Sequence, residues 1–589
     1  MRDGSKALTR RSLLLGLALS ALVGTTGRGQ ALISSGQAPV PAEKVLPANT
    51  LFMTKIEKME SLREGFLASQ IGQLMADPGM KPFMDKLHSI LEKPSEQLKE
   101  AVGLTVPELL TLPQGQVFVS LIGQTNEKVP VALFISADAG TNAAKMAEVM
   151  AAVDKVAEQQ GAGVATDQFE GLTLHVITNK DDATAPPMVW AQNGTVFHIA
   201  SSPELMKEMA SHPTGRENSL ATNELFGAVT KKLGTDPQVS WFLDIQQALG
   251  IASQMAGQNG VDADTVTAQI QQLGLNGLKA MGGRYDLNQG DFDSVYKMFV
   301  YAPSPVQGVL KMLAMPTQDL SPEPWVPGTV ASYQATSLDL DATWKAITEL
   351  ADTYAPGVLD QVEQGLAAGN GGGLKFKDDL IGPLGKRITV VSDFKKPITE
   401  ASQRGVVAVA LDDSKAFQNT LNKIFELAGA TPKQRSFQGT NIYDFDVPPE
   451  MAQQGITGPI SLAIAKDQLY VAFEPTLLEQ ILRGGYTGLA ENPEYQAVSK
   501  HFPAQTSILS FARPEDAARS AFGMLGSDQF KAALQQSNPG DSGPIAELLD
   551  PKLLPEFSVI AKYLSPQGGF GIQGDDGVTF TRFTVKKGH

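Results

Sequence analysis

The positions of apolar residues predict short β-strands interrupted by amphipathic helices along most of the chain. Alternation and short apolar runs predict strands such as Leu51–Ile56 and Val117–Ile122, and apolar residues at helical spacing predict a helix over residues 141–159. Asn193-Gly194 lies between two alternating segments and predicts a tight hairpin, because both residues tolerate positive φ. Strands and helices do not alternate strictly. We therefore predict an α+β fold with helices packed on a mainly antiparallel sheet.

One pattern of cap, aromatic and apolar residues occurs twice. Asn223–Lys231 reads NELFGAVTK, and Asn492–Lys500, 269 positions later, reads NPEYQAVSK. Further matches follow in the same order, for example Phe169-Glu-Gly171 with Phe437-Gln-Gly439. The repeated Asn is interpreted as a helix cap, the aromatic and the Ala-Val pair as packing residues, and the Lys as solvated. The matches predict a tandem duplication of one domain, each copy with its own sheet and helices.

This interpretation divides the chain into five parts. They are residues 1–31 as an export signal, 32–45 as a leader without regular structure, 46–303 as the first repeat, 304–325 as a Pro-rich linker and 326–589 as the second repeat. Six prolines between residues 302 and 328 indicate the linker, and the apolar piece Val306–Met315 within it is expected to dock on a neighbour. Ser61 and Asp341 are predicted to cap equivalent helices in the two repeats.

The N-terminus has the features of an export signal. Thr9-Arg10-Arg11-Ser12-Leu13-Leu14 matches a twin-arginine signal, and the apolar run Leu13–Val23 is too short for a comfortable membrane span, which needs roughly 20 residues. An ordinary secretory signal or an uncleaved anchor remains an alternative. We expect a periplasmic or secreted protein, or one held at the membrane if the signal is uncleaved. No later stretch is expected to cross a membrane.

Charge and composition exclude several classes of function. The 589-residue chain has a net charge of −15, and removing residues 1–31 leaves 43 basic and 62 acidic residues. Because a chain with this excess of acidic residues is repelled by nucleic acid and by anionic membranes, neither is an expected partner. The absence of cysteine excludes thiolate zinc sites, iron–sulfur clusters and cysteine nucleophiles. No motif indicates a cofactor.

Several motifs together resemble a known family. They are Leu46-Pro47 followed by Thr50, the segment from Val326 to Tyr333, and Arg387-Ile-Thr-Val-Val-Ser-Asp393-Phe394 with Pro397-Ile-Thr399. With the export signal, they resemble a family of exported bacterial proteins of unknown function that is commonest in planctomycetes. The resemblance covers most of the mature chain. It implies no activity and no catalytic residues.

Two histidines are the candidates for a metal site. His175 and His198 lie on predicted strands that are close in sequence, and a carboxylate beside them would complete a ligand set. The repeat favours another interpretation, because the two positions match Tyr443 and Tyr470 in the second copy. Both copies then place a large amphipathic ring at an outward strand position, without metal.

Other polar clusters favour structural roles. Asp378-Asp379, Asp412-Asp413 and Asp575-Asp576 are adjacent pairs, and neighbours on a strand point to opposite faces. Asp413 precedes a predicted helix and is expected to cap it. The Gly-rich segment 369–373 lacks the residues of a phosphate loop and is predicted to be a flexible loop. Of the 17 methionines after Met1, 15 lie between Met53 and Met315, which indicates either core packing or an adaptable apolar groove in the first repeat.

These observations favour an exported, non-catalytic binding or cell-envelope structural protein. Its expected partner is a protein or a hydrophobic ligand, held near residues 302–328 between the repeats. An extracytoplasmic hydrolase that uses carboxylates is the alternative, and a metal carrier is a third. The oligomeric state does not follow from the sequence.

Overall fold

The computed structural model describes residues 40–587 except 125–129, 183–184, 259, 369–373, 400–401, 428, 430–431, 448–457, 526–547 and 549–551. The predicted export signal and the predicted loop at the Gly-rich segment 369–373 therefore lie outside the described residues. Residues 42–45, which were expected to lack regular structure, form a short helix. Ala42 and Leu46 are fully buried in the core of the first half, and this burial stabilises the segment in a defined conformation.

The first half contains ten strands and the helices between them, within the described ranges. Its elements are α1 (Ala42–Val45), β1 (Thr50–Ile56), α2 (Met59–Ala68), α3 (Gln70–Ala76), α4 (Lys81–Val102), α5 (Val106–Leu110), β2 (Val117–Gly123), β3 (Val131–Asp138), α6 (Ala143–Gln159), β4 (Gly163–Phe169), β5 (Leu172–Thr178), β6 (Met188–Asn193), β7 (Val196–Ala200), α7 (Pro203–Ala210), α8 (Glu224–Leu233), β8 (Val239–Asp244), α9 (Ile245–Gln258), α10 (Ala263–Gln272), β9 (Ala280–Gln289) and β10 (Phe292–Tyr301).

The second half also contains ten strands in its described part. Its elements are β11 (Ser332–Ser337), α11 (Leu340–Tyr354), α12 (Val358–Ala368), a π-helical segment (Phe376–Ile381), β12 (Leu384–Phe394), β13 (Gln403–Leu411), α13 (Ser414–Leu427), β14 (Lys433–Phe437), β15 (Thr440–Phe445), β16 (Ile460–Ala465), β17 (Gln468–Ala472), α14 (Pro475–Arg483), α15 (Pro493–Ser499), β18 (Ile508–Ala512), α16 (Pro514–Leu525), α17 (Phe557–Ala561), β19 (Gln567–Gly574) and β20 (Gly577–Val585).

All twenty described strands form one continuous antiparallel sheet, so the predicted α+β class is confirmed. In the first half the pairings run β4-β5-β6-β7-β3-β2-β1-β8-β9-β10. In the second half they run β14-β15-β16-β17-β13-β12-β11-β18-β19-β20. The strand order is the same in both halves, and β10 pairs with β20 at the centre of the sheet.

The register at the centre relates the halves by a two-fold rotation. Gly282 and Phe299 follow in register from Phe242 of β8, just as Gly568 and Phe583 follow from Phe511 of β18. Phe299 therefore corresponds to Phe583. Across the centre, Phe299 pairs with Thr579 and Phe583 pairs with Val295. The two-fold rotation maps the first of these pairs onto the second. Each half thus presents the same edge to the other.

Ion pairs across the central junction follow the same rotation. Lys232, in the last turn of α8, forms a 2.7 Å salt bridge with Asp576 in the β19–β20 turn. At the rotated position, Lys500 and His501 lie 3.6 and 3.8 Å from Asp291 in the β9–β10 turn. These exposed contacts orient the junction more than they stabilise it, since surface pairs contribute at most about 1 kcal/mol.

The repeated Asn caps a helix in both halves, as predicted. Asn223 Oδ1 accepts hydrogen bonds from the amides of Leu225 and Phe226 at the start of α8, and its Nδ2 donates to the Ala48 carbonyl. Asn492 Oδ1 accepts from the amides of the second and third residues of α15, and its Nδ2 donates to the Gly328 carbonyl. Each Asn therefore caps a helix and ties it to the segment that begins its half.

Packing residues of the two motifs also correspond. Phe226 and Tyr495 are buried, and each meets a phenylalanine of the adjacent strand edge to face at 5.3 Å and 80°. Val229 and Val498 are buried in the cores of the first and second halves. The interpretation of these residues as packing anchors is confirmed.

Two other predicted caps are wrong. Ser61 lies inside α2, which begins at Met59 after Lys58. Asp339, rather than Asp341, caps α11 by accepting the Ala342 amide. A cap must be the residue just before the helix, and the predictions placed it about three residues too late in α2 and about two residues too late in α11.

The Pro-rich segment is packed, and is not a free linker. Leu320 and Trp325 are buried in the core of the second half, and Arg387 donates to the Ser321 carbonyl at 2.7 Å and to the Tyr333 hydroxyl at 2.7 Å. A boundary at residue 326 would therefore remove core residues from the second half. The helical turn Gly308–Met312 packs on α11, as expected of the apolar piece 306–315.

Candidate functional site

His175 links helix α6 to the sheet through a hydrogen bond. It lies on β5 and stacks on Trp190 of β6, with ring centroids 3.8 Å apart. Nδ1 of His175 lies 2.6 Å from Asp154 Oδ2 on α6, and Trp190 Nε1 donates to the other oxygen of the same carboxylate at 2.8 Å. The Asp154 carboxylate therefore uses both oxygens to hold two neighbouring strands against one helix.

Tyr443 does the same in the second half. It pairs with Leu462 across β16, as His175 pairs with Trp190 across β6. The Tyr443 hydroxyl accepts a hydrogen bond from Gln418 Nε2 on α13 at 3.3 Å. The side chains of His175 and Tyr443 therefore each pack against a helix and form a hydrogen bond with a side chain of that helix. The Asp154–His175 pair has the residue types of a general-base dyad, but its contacts are those of an anchor.

His198 lies on the opposite face of the sheet. It is on β7, and its ring stacks on Phe134 with centroids 5.5 Å apart. Its Nδ1 is fully buried and has no hydrogen-bond partner among the described residues. Because burial penalises the charged form, the pKa of His198 is lowered to about 4. The imidazole is therefore neutral at physiological pH.

The two histidines do not form one site. Strand β6 separates β5 from β7, and His198 pairs with Ala191 while His175 pairs with Trp190. Ala191 and Trp190 are neighbours on β6, and successive side chains of a strand point to opposite faces. The prediction that the strands could bring the two histidines together as metal ligands is therefore wrong. The alternative prediction of an outward ring is wrong for His198, which stacks on the buried Phe134. Tyr470, the counterpart of His198, is fully buried, whereas His198 as a whole is half-buried.

The acidic pairs have the structural roles that the sequence indicated. Asp413 Oδ1 accepts from the Lys415 and Ala416 amides and caps α13. Asp576 lies in the β19–β20 turn, and Asp379 accepts the Lys375 amide before the π-helical segment. Across the described ranges, no group of three or more His, Asp or Glu side chains has an arrangement that could hold a metal ion.

Methionines of the first half fill the interior. The buried ones are Met53, Met59, Met80, Met150, Met206 and Met209. Met53, Met206 and Met209 belong to the main core, so packing accounts for part of the methionine enrichment. Met315 instead lines the cavity described next, and Met255 is 47% exposed.

A cavity of about 460 Å³ lies where the Pro-rich segment packs on α11. Its apolar wall comes from the 306–316 segment and from α11, and the polar residues at its rim come from α11, the segment and β19. The lining residues are Val306, Leu310, Lys311, Leu313, Ala314, Met315, Pro316, Asp339, Ala342, Lys345, Ala346, Glu349 and Gln573. The cavity combines an apolar wall with a few polar groups at its rim and is open to solvent.

Hydrogen bonds fix the segment that forms the wall. Gln573 of β19 donates to the Leu313 carbonyl at 2.9 Å and accepts the Met315 amide at 2.5 Å. On the other side, the Asp339 amide donates to the Ala314 carbonyl at 2.8 Å. Leu313 itself remains 55% exposed, so the apolar wall is open to solvent on one side.

The charges at the rim are mostly paired. Lys311 and Glu349 form a 2.7 Å salt bridge, and Asp339 pairs with Lys386 at 2.7 Å. These bonds hold the pKa of each carboxyl below its ordinary value, first through the hydrogen bond from the lysine. Lys345 is exposed and forms no salt bridge with a described residue. Its charge also contributes to the lowered pKa of Glu349, after that of Lys311. The rim therefore offers one exposed lysine outside the salt bridges.

The sequence pointed to residues 302–328 as the position of a ligand, which stays a prediction, and it did not single out the residues of α11. The expected ligand position near residues 302–328 includes the 306–316 wall. Lys345 was not singled out, because the sequence does not show that Glu349 forms its salt bridge with Lys311 and not with Lys345. The apolar residues Ala342 and Ala346 beside it are spaced by one helical turn, and this spacing was the available signal.

Comparisons with known proteins give a domain and no activity. Residues 14–278 match the model of a family described as "Protein of unknown function (DUF3352)". The first half of the chain therefore contains a domain of unknown function. No curated protein matches the chain. Among solved structures, a 6-dimethylallyl tryptophan synthase aligns at 10% identity over 68% of this chain and 96% of its own, with a TM-score of 0.10. So low a score supports no conclusion about fold or function.

None of the helices in the described part of the chain has the length and apolarity to cross a membrane.

Proposed function

We propose that this chain is an exported, non-catalytic binding protein of the bacterial cell envelope, built by duplication of one domain and related to the planctomycete-type proteins that its motifs resemble. Its ligand is an apolar molecule with one anionic group. The ligand occupies the cavity between residues 306–316 and α11. The observation that carries the proposal is the exposed Lys345 at the rim, which forms no salt bridge with a described residue.

Duplication is supported by three kinds of correspondence. The strand order is the same in both halves, and the central pairing maps onto itself under a two-fold rotation. Asn223 and Asn492 make the same cap and the same long-range hydrogen bond. Coincidence would have to reproduce all three, whereas duplication produces them together.

A non-catalytic role is supported by the positions where the halves differ. His175 in one half and Tyr443 in the other are both bonded to a helix side chain and covered by that helix. The exchange of His175 for Tyr443 between the halves thus keeps the hydrogen bond from the strand to the helix. If the chain were a hydrolase, one half would carry catalytic groups that the other half lacks, and these groups would line a cleft.

The ligand class follows from the cavity. Burial of apolar ligand atoms against Val306, Leu310 and Ala346 would supply affinity at roughly 25 cal/mol per Å² of buried surface. A carboxylate or phosphate at the rim would meet Lys345, while the two rim acids stay paired with Lys311 and Lys386. An unbranched acyl carboxylate has this combination of an apolar body and one charged end.

Titration with dodecanoate tests the proposal. Isothermal calorimetry on residues 32–589 should show one site, and the neutral methyl ester should bind more weakly. The Lys345→Glu variant should bind dodecanoate about tenfold more weakly, which is about 1.4 kcal/mol, because an attraction becomes a repulsion.

The Lys415→Glu variant is the matched control. Lys415 is an exposed lysine on α13, outside the cavity, so this variant has the same net charge as Lys345→Glu and should keep wild-type affinity. Equal affinity for dodecanoate in all three proteins would refute the site. Conversion of the probe into a product would refute the non-catalytic role.

A further inference from the structure

The continuous sheet ends in two strands of different character. Each half contributes one outer strand, β4 in the first half and β14 in the second. Among the described residues, β4 pairs only with β5 and β14 pairs only with β15. An edge strand presents unpaired amides and carbonyls, so each end can accept another strand.

The turn after β4 shows which backbone groups point outward. Glu170 and Gly171 have φ of 48° and 83°, and they join Phe169 to Leu172 in a two-residue hairpin. Phe169 and Leu172 are then a hydrogen-bonded pair, and such pairs alternate along the ladder. The amides and carbonyls of Val164, Thr166 and Gln168 therefore face away from β5, and of these the Gln168 amide already donates to Asp167 Oδ1 at 2.9 Å.

Charged side chains protect β14 but hardly protect β4. β14 has five residues and includes Lys433 and Arg435, which form salt bridges with Asp446, Asp444 and Glu479. In an antiparallel pairing of two β14 strands about Gln434, Lys433 of one copy would face Arg435 of the other, and like charges directly opposite hinder such pairing. β4 has seven residues, without proline or bulge, and its one charged residue, Asp167, forms a salt bridge with Lys207 at 2.7 Å. The β4 edge is thus long, regular and locally neutralised.

We propose that two copies of this chain associate by antiparallel pairing of their β4 strands about Thr166. In this register Thr166 faces Thr166 of the second copy, and Val164 faces Gln168. Asp167 faces Ala165, so no like charges are directly opposed. Thr–Thr pairs are favourable cross-strand neighbours. The strand is therefore complementary to itself.

The molecule already uses this kind of contact internally. β10 and β20 join the two halves by antiparallel pairing about a two-fold axis, with nine paired positions. Pairing at β4 would repeat that geometry between copies and extend the sheet. A two-fold dimer also closes on itself and leaves only the charged β14 edges free. This is why a second copy, rather than an unrelated strand, fits the edge.

Light scattering on the full mature chain tests the association over a concentration series. The wild-type protein should show twice the mass of one chain. Thr166→Pro removes an outward amide without removing a bond to β5, and Thr166→Glu places two carboxylates opposite each other. Both variants should be monomeric, and the glutamate variant keeps the test valid if the proline variant misfolds. Gln434→Pro, at the equivalent position of β14, should remain dimeric.

Cross-linking gives an independent test, because the chain has no cysteine. Hydrogen-bonded antiparallel pairs have Cα atoms about 5.5 Å apart, within the range of a disulfide. Oxidation of Thr166→Cys with diamide should give a covalent dimer on a non-reducing gel, and Gln434→Cys should not. A monomeric wild-type protein, folded dimeric Thr166→Glu, or no cross-link at Cys in position 166 would each overturn the proposal.

Discussion

Replacing His198 with phenylalanine should remove a specific part of the pH dependence of stability. The His198 ring stacks on Phe134, and its buried Nδ1 has no partner among the described residues. In the folded chain its pKa is lowered to about 4, against an ordinary value of 6.5. Between these values the unfolded chain binds a proton that the folded chain does not bind. Stability is therefore complete above about pH 6.5 and falls as the pH is lowered towards 4.

The size of this effect follows from the difference in pKa. One pKa unit corresponds to 1.36 kcal/mol, so a difference of about 2.5 units gives about 3 kcal/mol between pH 7 and pH 4. Carboxylates also titrate in this range, so the comparison must be a difference between two proteins. The wild-type protein should lose about 3 kcal/mol more than His198→Phe over this interval.

Urea unfolding at a series of pH values measures the difference. Tyr470→Phe is the matched control, because Tyr470 occupies the same position in the second half and stays uncharged throughout this range. Its pH profile should run parallel to that of the wild type. Parallel profiles for His198→Phe and wild type would show that His198 is protonated equally in both states, and would refute the assigned burial.

Other predictions concern positions that correspond between the halves. Asn223→Ala and Asn492→Ala each remove a cap and one further hydrogen bond, so each should lower the unfolding free energy by about 2 kcal/mol, with unequal losses arguing against equivalence. A Cβ at Gly282 or Gly568 would meet the facing valine at 2.6 or 2.5 Å. Alanine at either position should therefore cost about 1–3 kcal/mol in thermal or urea unfolding, and a neutral result would show that the helix can shift.

Local signals predicted the elements and the repeated helix correctly. The Asn193-Gly194 hairpin between β6 and β7 and the Asn223 and Asn492 caps depend on turn and cap geometry within a few residues. Such geometry is decided by the residues themselves. The α+β class followed from the same signals.

The histidine arrangement could not be predicted because it depends on register and strand order. His198 faces the core since β7 is inserted between β6 and β3, and a shift of one residue would have turned it outward. Sequence alone does not specify that β3 pairs with β7. For the same reason, the sequence did not predict the contact of Asp154 on α6 with His175 on β5.

The Pro-rich segment was misjudged because composition does not report burial. Its prolines prevent regular structure, as predicted, but Leu320 and Trp325 bury their side chains in the second core. Trp325 also packs edge to face on Tyr470, with centroids 5.2 Å apart. An irregular segment can therefore be a fixed part of the fold and form the wall of a cavity.

Native mass spectrometry of the exported protein, purified without detergent from its host, tests the central claim most directly. The account predicts one small apolar molecule with a single negative charge bound to each chain. That molecule should be lost in Lys345→Glu and kept in Lys415→Glu. A chain that carries no such molecule, or that carries it equally in both variants, would contradict the assignment of the cavity as the binding site.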